Sequence, residues 1–195
     1  KSSDSIYVPT IFWKPSDRSA TRAIIIIHGG PHLQEIRDWD ARTQLAVDNG
    51  YMVVAPNYRG SKGYGTVYEK SEDISGQVND IAAAIDYIVR EYAIPRKQIT
   101  VIASSYGTML ARELVKRSPK AVGNLVLLSL YAPQDISCPP PEYAGTINLY
   151  HGERDMLSPL LSAQTYAQNC LNQGQRGELT TFADEGHHFH RTSSW

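Results

Sequence analysis

The run Val101-Ile102-Ala103-Ser104-Ser105-Tyr106-Gly107 joins an apolar β-branched stretch to a helical one through a small-x-Ser-x-Gly turn. A chain reverses from strand to helix this sharply only where the residues two before and two after the turn are small, because the backbone passes close to itself. Ala103 and Gly107 meet that need. The turn lifts the Ser105 hydroxyl above a sheet edge and aims the next backbone N–H, that of Tyr106, at the same point. It therefore demands a buried strand, a helix laid back on that strand, and a sheet around both.

The rest of the sequence supplies such a sheet. Ile6 to Trp13 has strand composition and stops at the turn cluster Lys14-Pro15-Ser16-Asp17. Ala23 to Ile27 is nearly all β-branched, as a parallel strand covered on both faces requires. Asp40 to Asn49 reads as a helix ended by Gly50, and Tyr51 to Ala55 returns as a strand. Ile81, Ile85 and Ile88 stripe a helix over Gln77 to Tyr92, which Pro95 stops. Strand Ile99 to Ala103, helix Tyr106 to Lys116, and strands Leu125 to Leu130 and Thr146 to Tyr150 follow. Ser158-Pro159 reads as a helix start with a capping hydroxyl, before the stripe Leu160, Ala163, Ala167, Leu171. Leu179 to Phe182 is the last strand. This alternation predicts an α/β fold: a mostly parallel sheet with helices on both faces, its ligands bound at the carboxyl ends of the strands.

Ser105 follows one such strand, Asp155 of His151-Gly152-Glu153-Arg154-Asp155 another, and His187 of Glu185-Gly186-His187 the last. A serine hydroxyl needs a base to take its proton, and an imidazole with an ordinary pKa near 6.5 suits that role. A carboxylate fixes the tautomer of that imidazole. The expected catalytic set is thus Ser105 as nucleophile, His187 as base and Asp155 as orienting acid, in the chain order of an α/β-hydrolase. The oxyanion donors are assigned to the N–H groups of Tyr106 and Gly30, with Gly29 in reserve, since Pro31 has none. Plainer roles compete. Ser104 could be the turn serine, Asp155 could pair with Arg154 or cap a helix, and His188 or His190 could replace His187. His28 and His151, at strand ends, are expected to bond loop backbone. Asp184, His187, His188 and His190 are ligand types that suit zinc, but no His-x-x-x-His helix or Cys pair accompanies them, so no metal or other cofactor is expected.

With 195 residues the chain suits a single domain, 1–195. A net charge of −1 provides no basic footprint for nucleic acid or membrane. Cys138 and Cys170 are too few for a disulfide framework, so reduced thiols and a cytoplasmic location are the default. The longest apolar run, Ala23 to Ile27, falls far short of the ~20 residues of a membrane span.

Several stretches together resemble the catalytic domain of the prolyl oligopeptidase family, nearest its acylaminoacyl-peptidase-like branch. They are His28-Gly29-Gly30-Pro31-His32, Asp38-Trp39, Asn57-Tyr58-Arg59-Gly60-Ser61-Lys62-Gly63-Tyr64-Gly65, Ser104-Ser105-Tyr106-Gly107, His151-Gly152-x-x-Asp155 and Glu185-Gly186-His187-x-Phe189. The resemblance runs from about residue 10 to residue 190. It implies an α/β-hydrolase fold, serine peptidase action on short peptides, and oxyanion donors at Gly30 and Tyr106. Three features depart from the pattern. Ala103 replaces a glycine, the β-branched Thr108 stands where a second glycine is usual, and the lid segment between Leu130 and Thr146 is short. The chain has no room for a β-propeller and ends soon after His187, so it is either a stand-alone miniature or an excised part of a longer protein. A carboxylesterase on small esters and a catalytically degenerate binding module stand as alternatives. The sheet flank near the C-terminus is a candidate surface for homo-oligomer formation.

Overall fold

Strands β1 (Thr10–Trp13), β2 (Arg22–Ile27), β3 (Tyr51–Pro56), β4 (Ile99–Ser104), β5 (Asn124–Leu128), β6 (Thr146–Gly152) and β7 (Arg176–Phe182) form one sheet in the order β1-β3-β2-β4-β5-β6-β7. Only β1 runs antiparallel to its neighbour. The computed structural model describes residues 1–16, 19–133 and 135–189. The helices are α1 (Ala41–Asp48), α2 (Thr66–Glu69), α3 (Ile74–Tyr92), α4 (Tyr106–Arg117) and α5 (Leu160–Asn172).

Right-handed crossovers put α1 on one face of the sheet and α3, α4 and α5 on the other. Burial follows this division. Ile25, Ile27, Val101, Ala103, Leu125, Leu127, Ile147 and Leu149 are sealed against the α3–α5 layer. Their alternating neighbours Ile24, Ile26, Ile102, Val126 and Tyr150 are only partly covered. Ile81, Ile85 and Ile88 of α3 and Leu110, Ala111, Leu114 and Val115 of α4 complete the main core.

The elements differ from the sequence reading at their ends. α3 begins three residues before Gln77, because the Asp73 carboxylate accepts the N–H groups of Ser75 and Gly76 and caps the first turn. β1 is confined to the four residues that pair with β3. β5 stops at Leu128, and the next three residues turn away to other partners. α2 lies in the glycine-rich stretch after Ser61 and has no apolar periodicity to announce it. Ser158 does not cap α5. Pro159 holds that position without a side-chain bond, while the Ser158 N–H is drawn to Asp155. Among the described residues no helix is long and apolar enough to cross a membrane.

The cysteines correct the expectation of reduced thiols. Cys138 and Cys170 are bonded, with Cα atoms 5.3 Å apart. Sequence distance concealed this: α5 turns Cys170 inward, and Cys138 sits beside the Tyr166 carbonyl one turn earlier on the same helix. With the thiols paired, the argument from free cysteines for a reducing compartment no longer applies. The link spans 32 positions. Its removal by Cys138→Ala is expected to cost about 3–4 kcal/mol through loop-closure entropy, read as a lower urea midpoint. A midpoint equal to the parent's would show that the bond contributes nothing.

Candidate active site

Ser105 stands between β4 and α4 with φ 49° and ψ −122°. A non-glycine residue there stores on the order of 1–3 kcal/mol of backbone strain. Two contacts hold it. Its N–H donates to the Leu128 carbonyl at 2.9 Å, and its own carbonyl accepts the Thr108 hydroxyl at 2.6 Å. Two residues on, a side chain at Gly107 would put a Cβ 2.5 Å from the Ile27 carbonyl oxygen and 2.6 Å from that of His28. The helix therefore crosses the end of β2 at main-chain contact. Ala103, fully buried in β4, is accommodated. Thr108 is fully buried as well, and its hydroxyl is bonded rather than crowded.

Asp155 and His187 arrive from the neighbouring strand ends. The His187 ring has Nε2 2.8 Å from Ser105 Oγ, and Nδ1 2.8 and 3.0 Å from the two Asp155 carboxylate oxygens. Since a carboxylate only accepts, Nδ1 carries the proton and Nε2 is left to accept from the serine. The Asp155 side chain is sealed from solvent and that of His187 is 11% exposed. Asp155 Oδ1 also accepts the N–H groups of Leu157 and Ser158, which fixes the carboxylate in its plane. Arg154 pairs with Asp184 at 2.7 Å and not with Asp155. Backbone bonds from Glu153 to Phe182 and from Arg154 to Glu185 join the loops after β6 and β7. Ser104 lies on the Gly29 side of the turn. His188 packs edge-on against the His187 ring, and His190 lies outside the described residues. Among the described residues no His, Cys, Asp and Glu cluster could hold a metal ion.

Gly30 and Tyr106 flank the serine from two elements. Tyr106 is the first residue of α4, where no carbonyl a turn earlier is available to its N–H. Gly30 (φ 48°) belongs to the loop after β2, the strand next to β4. Its neighbour Gly29 lies against Ser105, since a Cβ there would be 3.0 Å from Ser105 Cβ. Behind this loop, His28 Nδ1 is 2.9 Å from the Gly29 carbonyl, Nε2 is 2.9 Å from Ser61 Oγ, and the ring stacks on Tyr58 at 4.4 Å. Burial pushes the His28 imidazole below its ordinary pKa, so it is neutral and donates to Gly29 from Nδ1. His151 is similarly structural: Nδ1 accepts the Leu130 N–H and Nε2 donates to the Ser158 carbonyl.

The Asn57–Ser61 stretch anchors the loop of Gly29 and Gly30 through His28. Buried Arg59 grips the fully buried Asp80 of α3 through its N–H (2.8 Å), Nε (2.9 Å) and Nη2 (2.7 Å), and also reaches Asp4 at 2.7 Å. The Asn57 amide exchanges two bonds with the Glu35 backbone. Sequence reading missed Gln77, whose buried side chain accepts the Tyr106 hydroxyl at 2.8 Å. It also missed the roles of Thr108 and Ser129, since a lone polar residue in an apolar segment signals burial without naming its partner.

A mostly parallel sheet of this strand order, with a sharp strand-to-helix turn at Ser105 after β4, defines the α/β-hydrolase fold. The profile of the prolyl oligopeptidase family matches residues 37–121. It is similar to acylamino-acid-releasing enzyme 1 of Oryza sativa subsp. japonica, at 30% identity over 115 residues covering 56% of this chain and 14% of that protein. The uncharacterized peptidase YuxL of Bacillus subtilis (strain 168) is 25% identical over 87% of this chain and 31% of its own length. The chain thus spans less than a third of the length of these relatives. The fold is shared with a puromycin-hydrolyzing peptidase of Mycobacterium tuberculosis, with a TM-score of 0.85 at 16% identity over 96% of this chain and 35% of that one. It is likewise shared with an acylaminoacyl peptidase of Pyrococcus horikoshii, with a TM-score of 0.83 at 17% identity over 96% and 36%.

The ion pair behind the site gives a test of its scaffold. Arg59→Met leaves the Asp80 carboxylate buried without its partner and is expected to cost about 3–5 kcal/mol. Denaturant unfolding of Arg59→Met, Asp80→Leu and the double variant checks this, with the double variant recovering much of the loss.

Proposed function

We propose that this chain is the catalytic domain of a serine peptidase that cleaves short peptides through an acyl-enzyme. The observation that carries the reading is the unbroken line from Asp155 through His187 to Ser105, every link at 2.8 Å. Ser105 Oγ attacks the scissile carbonyl carbon while its proton passes to His187 Nε2. The negative charge that develops on the carbonyl oxygen meets the N–H groups of Gly30 and Tyr106, reinforced by the positive end of the α4 dipole. The intermediate collapses as the imidazolium gives its proton to the leaving amine, so the C–N bond breaks and an ester to Ser105 remains. Water then enters, loses its proton to His187 Nε2, and releases the carboxylic acid. Asp155 stays ionised throughout and stabilises the imidazolium.

The named activities of the relatives favour a peptide over a simple ester as substrate. A non-catalytic module would not require a strained serine backed by a buried acid and base. Ser105→Ala is expected to lower turnover of a peptide anilide by on the order of 10⁴-fold and to abolish labelling by a fluorophosphonate probe. Near-normal hydrolysis by that variant would remove the assignment. The parent's rate is also expected to fall on the acid side, because a protonated His187 cannot accept the serine proton. A pH profile with no acid limb would argue against an imidazole base.

A further inference from the structure

Just past β5, three consecutive residues each reach a different part of the site. Ser129 Oγ donates to the His187 carbonyl at 2.7 Å. The Leu130 N–H donates to His151 Nδ1 at 3.2 Å. The other nitrogen of that ring donates to the Ser158 carbonyl at 2.8 Å, and the Ser158 N–H donates to Asp155 Oδ1 at 2.8 Å. The Tyr131 N–H donates to Thr108 Oγ1 at 2.9 Å, and that hydroxyl donates onward to the Ser105 carbonyl at 2.6 Å. Ser129 is itself held at φ 50°, buried, with its N–H on the Tyr150 carbonyl at 2.9 Å.

We propose that the turn Ser129-Leu130-Tyr131 is a common brace for the catalytic set, with Thr108 and Ser129 as positioning residues that fix the distance between Ser105 and His187. The inference rests on the reading of Ser105, Asp155 and His187 as the triad. Its physical basis is that, beyond the sheet that carries all three loops, this turn hydrogen-bonds toward each of them. Main-chain bonds join the acid and histidine loops to each other, and the strained serine is tied toward them through Leu128 at the end of β5, through this turn and through the reacting side chains. Thr108 suits the task because a hydroxyl donates once and accepts at the same time. A glycine, usual at this position in the resembled pattern, would leave both the Ser105 carbonyl and the Tyr131 N–H short of a bond. Ser129 fixes the backbone of His187, while the ring is oriented by Asp155, Ser105 and the edge-on contact with His188.

A displacement near 1 Å between reacting groups costs on the order of 10²-fold in rate, which sets the scale of the test. Thr108→Val keeps the shape and removes the hydroxyl, and Ser129→Ala removes the bond to the His187 carbonyl. Each is expected to lower both the fluorophosphonate labelling rate and kcat on a peptide anilide by roughly ten- to a hundred-fold, with KM changed by less than about twofold. Thr108→Ser is expected to recover most of the loss. The double variant should fall short of the product of the two single effects, because both act through one turn. Thermal melts monitored by circular dichroism establish that each variant is folded at the assay temperature. If Thr108→Val does not fold, Ser129→Ala and Thr108→Ser carry the comparison. A reactive parent whose folded variants react at the parent rate overturns the brace alone. Equal losses in Thr108→Ser and Thr108→Val overturn the role of the hydroxyl. A parent that neither labels nor hydrolyses removes the triad reading, and the brace with it.

Discussion

At the heart of this fold Gly107 meets the carbonyl oxygens of Ile27 and His28 so closely that no side chain fits. That contact fixes how near α4 comes to the end of β2, and so how near the loop of Gly29 and Gly30 comes to Ser105. The positions of Ser105, the first amide of α4 and the glycine loop are therefore one geometric fact. The strand order adds the remainder: β2, β4, β6 and β7 all deliver their carboxyl ends to the same edge.

Around this contact the polar groups are ordered inward from the surface rather than scattered. Arg59 and Asp80 neutralise each other between the loop after β3 and α3, with Asp4 closing the outer side. Burying such a pair adds little net stability over an apolar contact, but once buried it tolerates few alternative arrangements. Asn57, Tyr58 and Ser61 then carry this rigidity to His28, and His28 to the glycine loop. The stretch that looks most like a signature in the sequence thus serves as scaffold, at one remove from the chemistry.

Much of this was legible in the residues. Strands buried on both faces announce themselves by β-branched runs, and the elbow by its small flanking residues, because local sterics permit little else there. The order Ser, Asp, His named three groups that the structure brings within bonding distance. What escaped was whatever depends on partners remote in sequence. The Cys138–Cys170 link, Gln77 beneath Tyr106, and the two hydroxyls of Thr108 and Ser129 all join segments with no shared pattern. Helix ends misread by composition have the same origin. Ser158 looked like a cap, yet its amide answers to a carboxylate that was committed to the histidine.

The backbone of Ser105 has one more implication. A residue kept at φ 49° is disfavoured for any L side chain, and glycine would occupy the position without that penalty. The residue proposed to attack substrate is therefore a place where the native sequence is not the most stable one available. Drift toward greater robustness at this position would lead away from the proposed reactivity.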